Sequence, residues 1–368
     1  PGAAPVRLPS EHRGDRDVPQ LFHVCGFVPW SALRWPMVSR LYKLGLLALG
    51  FMILAGLVVD TGRVRTGAWT TEPTCQSASG TCWQQRGLLS VFPLVVSVVG
   101  TVALSCVLPQ AEEVGRTMSM LTAYMHRHDL MQRLRSRAVR DSWPTACTWV
   151  LLVVATGVGT GLDGSNAAPD VYSLCYLFAL VFVGFFAASL TYCMLYIARA
   201  LSAMIDRFCC ELAASGDIAQ AMRDWNVLQA VMLKASSSIE WIFVGMLLAV
   251  GFAVPLTLAD LLTLGARWSA LPPVVPGMII MSLFVRAFLV AASITDKCGR
   301  VPALVNSLCF GPGTEAKRQL LVDYISSSGA GFYVCDVRLT VGMALKFMYM
   351  WSIVAFGLAT NFFANSGS

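Results

Sequence analysis

Apolar residues along the chain gather into seven runs: Leu41 to Val59, Leu88 to Leu108, Thr145 to Leu162, Val171 to Ala198, Trp241 to Leu264, Val274 to Thr295 and Leu339 to Phe363. A helix needs about 20 mostly apolar residues to cross a bilayer, and each run is of that order. The polar intervals alternate between short and long. Three of them, Pro109 to Pro144, Arg199 to Glu240 and Asp296 to Arg338, are long and helical in pattern. In the second, Ile197, Leu201, Ile205, Phe208 and Leu212, then Val227, Leu228, Val231 and Met232, recur at helical spacing with a break near Ser215 and Gly216. This predicts a hairpin that continues the fourth and fifth spans beyond the membrane. In the third, Thr314 to Ile325 reads as a short amphipathic helix, started after Gly311, Pro312 and Gly313 with Thr314 as its N-cap.

Lys and Arg concentrate in alternate intervals. The N-terminal tail carries Arg7, Arg13, Arg16, Arg34 and Arg40, and the second interval Arg116, Arg127, Arg133, Arg135, Arg137 and Arg140. The fourth adds Arg207, Arg223 and Lys234, and the sixth Lys297, Arg300, Lys317 and Arg318. The opposite side has only Arg63, Arg65, Arg86 and Arg267. Basic residues stay in the cytoplasm, so the N-terminus is expected inside and, after seven crossings, the C-terminus outside. The expected fold is therefore an all-α membrane protein with seven transmembrane helices and cytoplasmic helical extensions that form an anchor domain. Its parts are a cytoplasmic tail (1–40), spans one to six with their extensions (41–295), an anchor helix (296–336), and a last helix with a short extracellular tail (337–368). The first span follows a polar tail and is expected to act as a signal anchor that stays in place.

Composition agrees with a membrane protein: 56% of residues are hydrophobic and 13% charged, outside the range of soluble domains. The net charge of +6 follows from the cytoplasmic bias and does not indicate a nucleic-acid partner. Enzyme signatures such as a phosphate-binding glycine loop or a zinc-binding His-Glu-x-x-His are missing from the sequence. The reading is of a protein that is not an enzyme, with no cofactor and no metal site. His126, His128 and Asp129 lack neighbours in sequence to complete a metal-ligand set.

Three sequence stretches carry a family likeness. Met348 to Phe356 places Tyr349 and Phe356 where a last-helix signature has Thr-Tyr, five residues, then Gln-Phe; Met348 stands for the Thr and Ala355 for the Gln. Phe332 to Leu339 is similar to a short apolar-Cys-acidic lead into that helix, and Leu21 to Trp30 to a Gly-apolar-apolar-Pro-aromatic opening. With the seven-span pattern, the chain resembles the insect gustatory and odorant receptor superfamily, as a distant gustatory-receptor-like member. The resemblance implies a chemosensory, ligand-gated cation channel in the plasma membrane, a homotetramer whose last helices line a central pore and whose cytoplasmic extensions hold the subunits together. Its partners would be membrane lipid and an unidentified small molecule. Two alternatives stay open: a non-conducting receptor or scaffold of the same fold, to which the missing Gln points, and a secondary transporter, for which the spans show no clear internal repeat.

Within the last run, Lys346, Met350, Ile353, Gly357, Thr360 and Asn361 fall along one stripe at helical spacing. Such a stripe suits a pore lining, with Met350 and Ile353 as a constriction that closes by dewetting. Lys346 either snorkels to the cytoplasmic surface or sets a selectivity unlike the family's. A retinal Schiff base on this lysine is excluded by a third span without Asp or Glu and by the reversed orientation. Arg286 lies in the sixth run with no carboxylate at equal depth, since Asp260 and Glu240 sit near opposite ends of the fifth. Two readings stay open for it: a structural hydrogen bond to neighbouring helices, or a place on a cavity wall where it anchors a polar or acidic ligand. The ligand-binding set is Arg286 with the aromatics Trp149, Tyr172 and Tyr176. Of the cysteines, Cys75 and Cys82 share the long outer loop, where a disulfide is expected.

Overall fold

A computed structural model describes residues 113–162, 171–264, 271–311 and 313–366. The tail, the first two apolar runs and the Cys75–Cys82 loop lie outside the described residues. The described elements are α1 (113–127), α2 (Met131–Leu162), α3 (Val171–Ser215), α4 (Ile218–Leu264), α5 (Leu271–Ser307), α6 (Glu315–Ser327), a two-residue hairpin β1 (Tyr333–Val334) and β2 (Val337–Arg338), and α7 (Val341–Ser366). The fold is all-α apart from that hairpin. Each of the five later apolar runs lies within one helix, α7 beginning two residues after its run.

The long inner intervals are helical as expected. In α1, Val114, Met118, Leu121 and Met125 form a single stripe at three- and four-residue spacing, and all four are buried. Its Glu113 pairs with Lys234 on α4. The α3–α4 hairpin breaks where the pattern does: α3 ends at Ser215, Gly216 takes a positive φ of 63°, and the Asp217 carboxylate accepts the backbone N–H groups of Ala219 and Gln220 at 3.0 and 3.1 Å. That carboxylate is an N-cap for α4.

Among the described residues, two stretches, Ala188–Ser215 and Ile218–Leu248, are long and apolar enough to cross a membrane, each with mean hydropathy 1.4. They differ in surroundings. The α3 stretch is enclosed by the bundle, from Cys193 and Ile197 through Leu201, Met204 and Ile205 to Leu212, as expected of a helix apolar on every side. The α4 stretch buries Trp225, Leu228, Met232, Ala235 and Ile239 but exposes Val227, Leu233 and Trp241.

Thr314 precedes α6 as predicted, but its side chain does not cap it. The hydroxyl donates to the Gly311 carbonyl at 2.7 Å, and only the Thr314 carbonyl enters the helix, accepting from the Arg318 N–H at 2.9 Å. The C-terminal end of α6 is tied to α4: Trp225 Nε1 donates to Ser328 Oγ at 3.0 Å, Gln229 Nε2 to the Ser328 carbonyl at 2.7 Å, and the Tyr324 hydroxyl to Asn226.

The Phe332–Leu339 run was read as a lead into the last helix and folds as the hairpin. Val334 pairs with Val337, leaving Cys335 and Asp336 as the turn, with φ of 48° and 60°. Positive φ at both central residues is the tight-hairpin signature, usually met by Asn and Gly. The strain of left-handed backbone at two non-glycine residues is opposed by tertiary bonds. Cys335 N–H donates to Glu240 Oε1 on α4, and Phe332 N–H to Thr295 Oγ1 on α5, both at 2.9 Å. Arg338 Nη2 reaches back to the Ala330 carbonyl at 2.9 Å. The junction thus fixes where α7 leaves α4 and α5.

Gly331 sits inside that junction. A Cβ there would lie 2.9 Å from Arg338 Nε and 3.1 Å from Thr295 Oγ1. Gly331→Ala should therefore cost about 1–3 kcal/mol, read as a lower thermal midpoint in detergent. Gly342→Ala, whose Cβ meets Thr340 Oγ1 only at 3.8 Å, should leave the midpoint unchanged or slightly higher.

The described cysteines are all unbridged. Cys298 is buried against Met232 on α4, and burial pushes its thiol up to about 12. Only thiolates react readily, so Cys298 should stay unlabelled by a maleimide until the pH nears that value or the protein unfolds. Exposed Cys210 and Cys309 should label at neutral pH; mass spectrometry of the labelled protein checks the pattern.

Candidate functional site

Asp141 is the lone acidic residue of α2 and is 4% exposed. Arg199 of α3 donates through Nε to its Oδ2 at 3.0 Å, and Arg286 of α5 through Nη2 to its Oδ1 at 2.6 Å. Each carboxylate oxygen thus holds one guanidinium, and three helices meet at one charged centre. Thr145, one turn on, donates to the Asp141 carbonyl at 2.9 Å. Both arginines keep 30% of their side-chain surface exposed.

This corrects the reading of Arg286 as lacking an ionic partner. The apolar run begins only after Pro144, which sets Asp141 in the preceding interval, but α2 runs unbroken through an exposed Pro144 from Met131. That continuation carries Asp141 to the level of Arg286. The sequence reading also passed over Arg199, because charges are ordinary in inner intervals. The available signal was a single acid at the foot of an apolar run beside Arg137 and Arg140.

The same centre separates the expected ligand set. Arg286 and Arg199 share a carboxylate and so lie at one height. Along the unbroken α3, Tyr176 and Tyr172 are 23 and 27 residues from Arg199, about 35 and 40 Å at 1.5 Å per residue. The backbone positions of these two tyrosines are therefore far along the helix from the level of Arg286. Trp149, half-buried, lies about 12 Å up α2 from Asp141. The side chains of Tyr172 and Tyr176 lie outside the described residues.

Farther inward, Lys297 on α5 donates to Ser202 Oγ and Asp206 Oδ1 on α3, both at 2.7 Å. A groove of about 390 Å³ opens at the tip of the α3–α4 hairpin, lined by Phe208, Glu211, Leu212, Gln220 and Asp224. It lies at the far end of α3 from the predicted aromatics. Beside it, Glu211 accepts from Arg207 Nε at 2.7 Å and faces His128 Nδ1 at 3.7 Å. Burial first, then the Glu211 and Asp224 carboxylates, push the Tyr124 hydroxyl up. Among the described residues, no grouping of three His, Cys, Asp or Glu side chains is placed to hold a metal.

α7 is held to the bundle along one side only. Ala344 is buried, while Phe347 and Trp351 are half-buried. Phe347 joins an aromatic cluster with Phe284 and Phe288 of α5 at centroid distances of 5.8 and 5.9 Å, to which Phe243 of α4 adds contacts at 5.4 and 5.3 Å. Such pairs add about 0.5–1.5 kcal/mol each beyond burial. The other faces are open: Lys346, Met350, Ile353, Gly357 and Thr360 are exposed, Tyr349 is 70% exposed and Phe356 72%. The side chain of Asn361 lies outside the described residues.

No family model matches the sequence, and no curated protein does. Among solved structures, the chain is similar to the insect olfactory receptor OR5 from Machilis hrabei. The TM-score is 0.61 at 10% identity, over 91% of this chain and 96% of that one. The same receptor in complex with eugenol matches with a TM-score of 0.59 at 8% identity, over 92% and 97%. The fold is that of an insect olfactory receptor. Both chains are covered almost end to end, so the likeness extends over the whole helical bundle. On this olfactory-receptor fold, the Asp141 centre ties α2, α3 and α5, and α7 stands at the edge.

Breaking the centre has a predicted asymmetry. Asp141→Ala strands two guanidinium groups and should cost about 3 kcal/mol, the low end for a broken buried pair because the arginines reach solvent. Arg199→Gln leaves Asp141 its bond to Arg286 and should cost less. Detergent thermal melts of both variants check the order.

Proposed function

We propose that this chain is a gustatory-receptor-like chemosensory membrane protein that works as a ligand-gated cation channel, assembled as a homotetramer with α7 at its axis. The observation that carries the reading is the open side of α7 on a chain whose fold matches an olfactory receptor over nearly its full length. The N-terminus is placed in the cytoplasm by the basic-residue bias, in the plasma membrane, with residues 296–336 part of the cytoplasmic anchor. The solved relative in complex with eugenol supports a small organic molecule as ligand.

The helical wheel assigns faces to α7. At about 100° per residue, Ala344, Phe347 and Trp351 share the side packed on the bundle. The stripe of Lys346, Met350, Ile353, Gly357 and Thr360 points about 130° away from it, and Tyr349 with Phe356 about 160° away. In a ring of four, the first open face turns to the axis and the second to a neighbouring subunit. Met350 and Ile353 then form the apolar constriction, with Gly357 and Thr360 beyond it toward the outer end. Ligand binding among the outer halves of the helices opens the constriction, and water follows.

A second reading is a non-conducting receptor of the same fold. It is favoured by Lys346, exposed on the axial stripe, because four like charges around an axis repel cations, and by Ala355 at the position of the family's Gln.

Single-particle imaging of the purified protein in nanodiscs tests the assembly, and a fourfold ring with α7 at its centre is expected; a monomer or a dimer without a central axis sinks the channel. In planar bilayers, Ile353→Asn should wet the constriction and raise ligand-free current several-fold. A fourfold ring silent in both forms establishes the non-conducting reading.

A further inference from the structure

We propose that Arg199 and Arg286, held by Asp141, form a binding site for the phosphate group of an anionic lipid headgroup in the cytoplasmic leaflet. The arrangement has two cations for one anion. Asp141 uses both oxygens, one on each arginine, and is buried, so it is saturated. Each arginine gives it a single bond: Arg199 uses Nε and keeps both terminal nitrogens, while Arg286 uses one N–H of Nη2 and keeps the other, which forks with the nitrogen sharing its edge. Both guanidinium groups therefore retain forked donors, positioned by a buried carboxylate and still 30% exposed.

The level in the membrane decides what meets those donors. Arg199 directly follows the apolar run that ends at Ala198, and Asp141 precedes the one that begins at Thr145. Arg199 and Asp141 thus put the centre at the boundary between span and basic inner interval, where lipid phosphates lie; Arg286, nine residues before the end of its own run, is brought to that level by its bond to Asp141. Basic pockets between membrane helices on this side bind anionic headgroups, and a forked guanidinium matches phosphate oxygens in pairs. A bound phosphate would offset the surplus positive charge and bridge α3 to α5 beside the carboxylate.

The inference rests on the membrane placement given above but not on conduction. The test is native mass spectrometry of the full chain released from nanodiscs of phosphatidylcholine mixed with phosphatidylglycerol. The native protein should retain phosphatidylglycerol in preference to phosphatidylcholine. Arg199→Gln and Arg286→Gln should each lower that retention about tenfold or more, the worth of one charge-assisted hydrogen bond. Each variant leaves Asp141 one partner; should either fail to fold, Arg→Lys keeps the charge, loses the fork and should give a smaller loss. Arg318→Gln, on α6 and paired with Glu315, should retain lipid like the native chain.

Equal retention of the two lipids by the native protein overturns the proposal, as does undiminished retention in both arginine variants. Loss of the lipid on adding inorganic phosphate, with a phosphate adduct in its place, assigns the pair to soluble phosphate and overturns the lipid. A fourfold ring without bound phosphatidylglycerol defeats this site and leaves the channel standing. Specific lipid retention by a protein that passes no current does the reverse.

Discussion

One buried carboxylate sets the relative heights of three helices. Asp141 is buried in an apolar bundle where α3 and α5 each bring it a guanidinium, and neither helix can slide by a turn without breaking its pair. Packing alone would not impose this. Apolar side chains at three- and four-residue spacing tolerate a shift along the helix, whereas an ion pair at 2.6 Å does not. Lys297, bonded to Ser202 and Asp206, repeats the tie farther along the same two helices, so α3 and α5 are fixed at two points. The polar bonds specify the register of a bundle that burial stabilises.

From that register the inner half follows. Below the carboxylate, α3 is surrounded on every side by α2, α4 and α5, and its apolar residues serve a protein core. Hydropathy and charge therefore divide the chain differently: among the described residues, the two stretches long and apolar enough to span, Ala188–Ser215 and Ile218–Leu248, run into the basic intervals. A buried core helix and a lipid-embedded one have the same composition. The distribution of Lys and Arg is an independent signal, since basic residues are retained on the cytoplasmic side of membrane proteins.

Helices were therefore legible where periodicity was long and punctuation local. The break at Ser215 and Gly216 needs only a glycine with positive φ and an aspartate cap two residues on, and α6 follows from its Gly-rich start. Two features were not legible, for different physical reasons. The hairpin at 333–338 has Cys and Asp where such a turn normally takes Asn and Gly, so local propensity argued against it; Glu240 and Thr295, distant in sequence, hold it in place. The Arg286–Asp141 pair joins residues 145 apart and depends on α2 continuing through Pro144, which local rules treat as a stop. Splitting the ligand set then required only a helix rise, since one shared carboxylate places Arg286 far from Tyr172 and Tyr176.

α7 poses a different question, because exposed apolar residues on a membrane helix are satisfied by lipid and imply no partner by themselves. Tyr349 and Phe356 belong to that class. The adjacent stripe does not. Lys346 at one end, with Gly357 and Thr360 toward the other, gains nothing from hydrocarbon, and a lysine facing acyl chains is opposed by several kcal/mol, about 2.5 to 3.5 on insertion scales near a helix centre. Water or protein on that side removes the opposition. The helix is bonded to its own bundle through the opposite face, where Phe347 meets Phe284 and Phe288. On the proposed reading, the stripe that faces water is turned away from the rest of the chain, and a single copy cannot enclose it. Further copies of α7 around a common axis would supply the enclosure, with the lipid-compatible Tyr349 and Phe356 flank left to meet a neighbouring subunit.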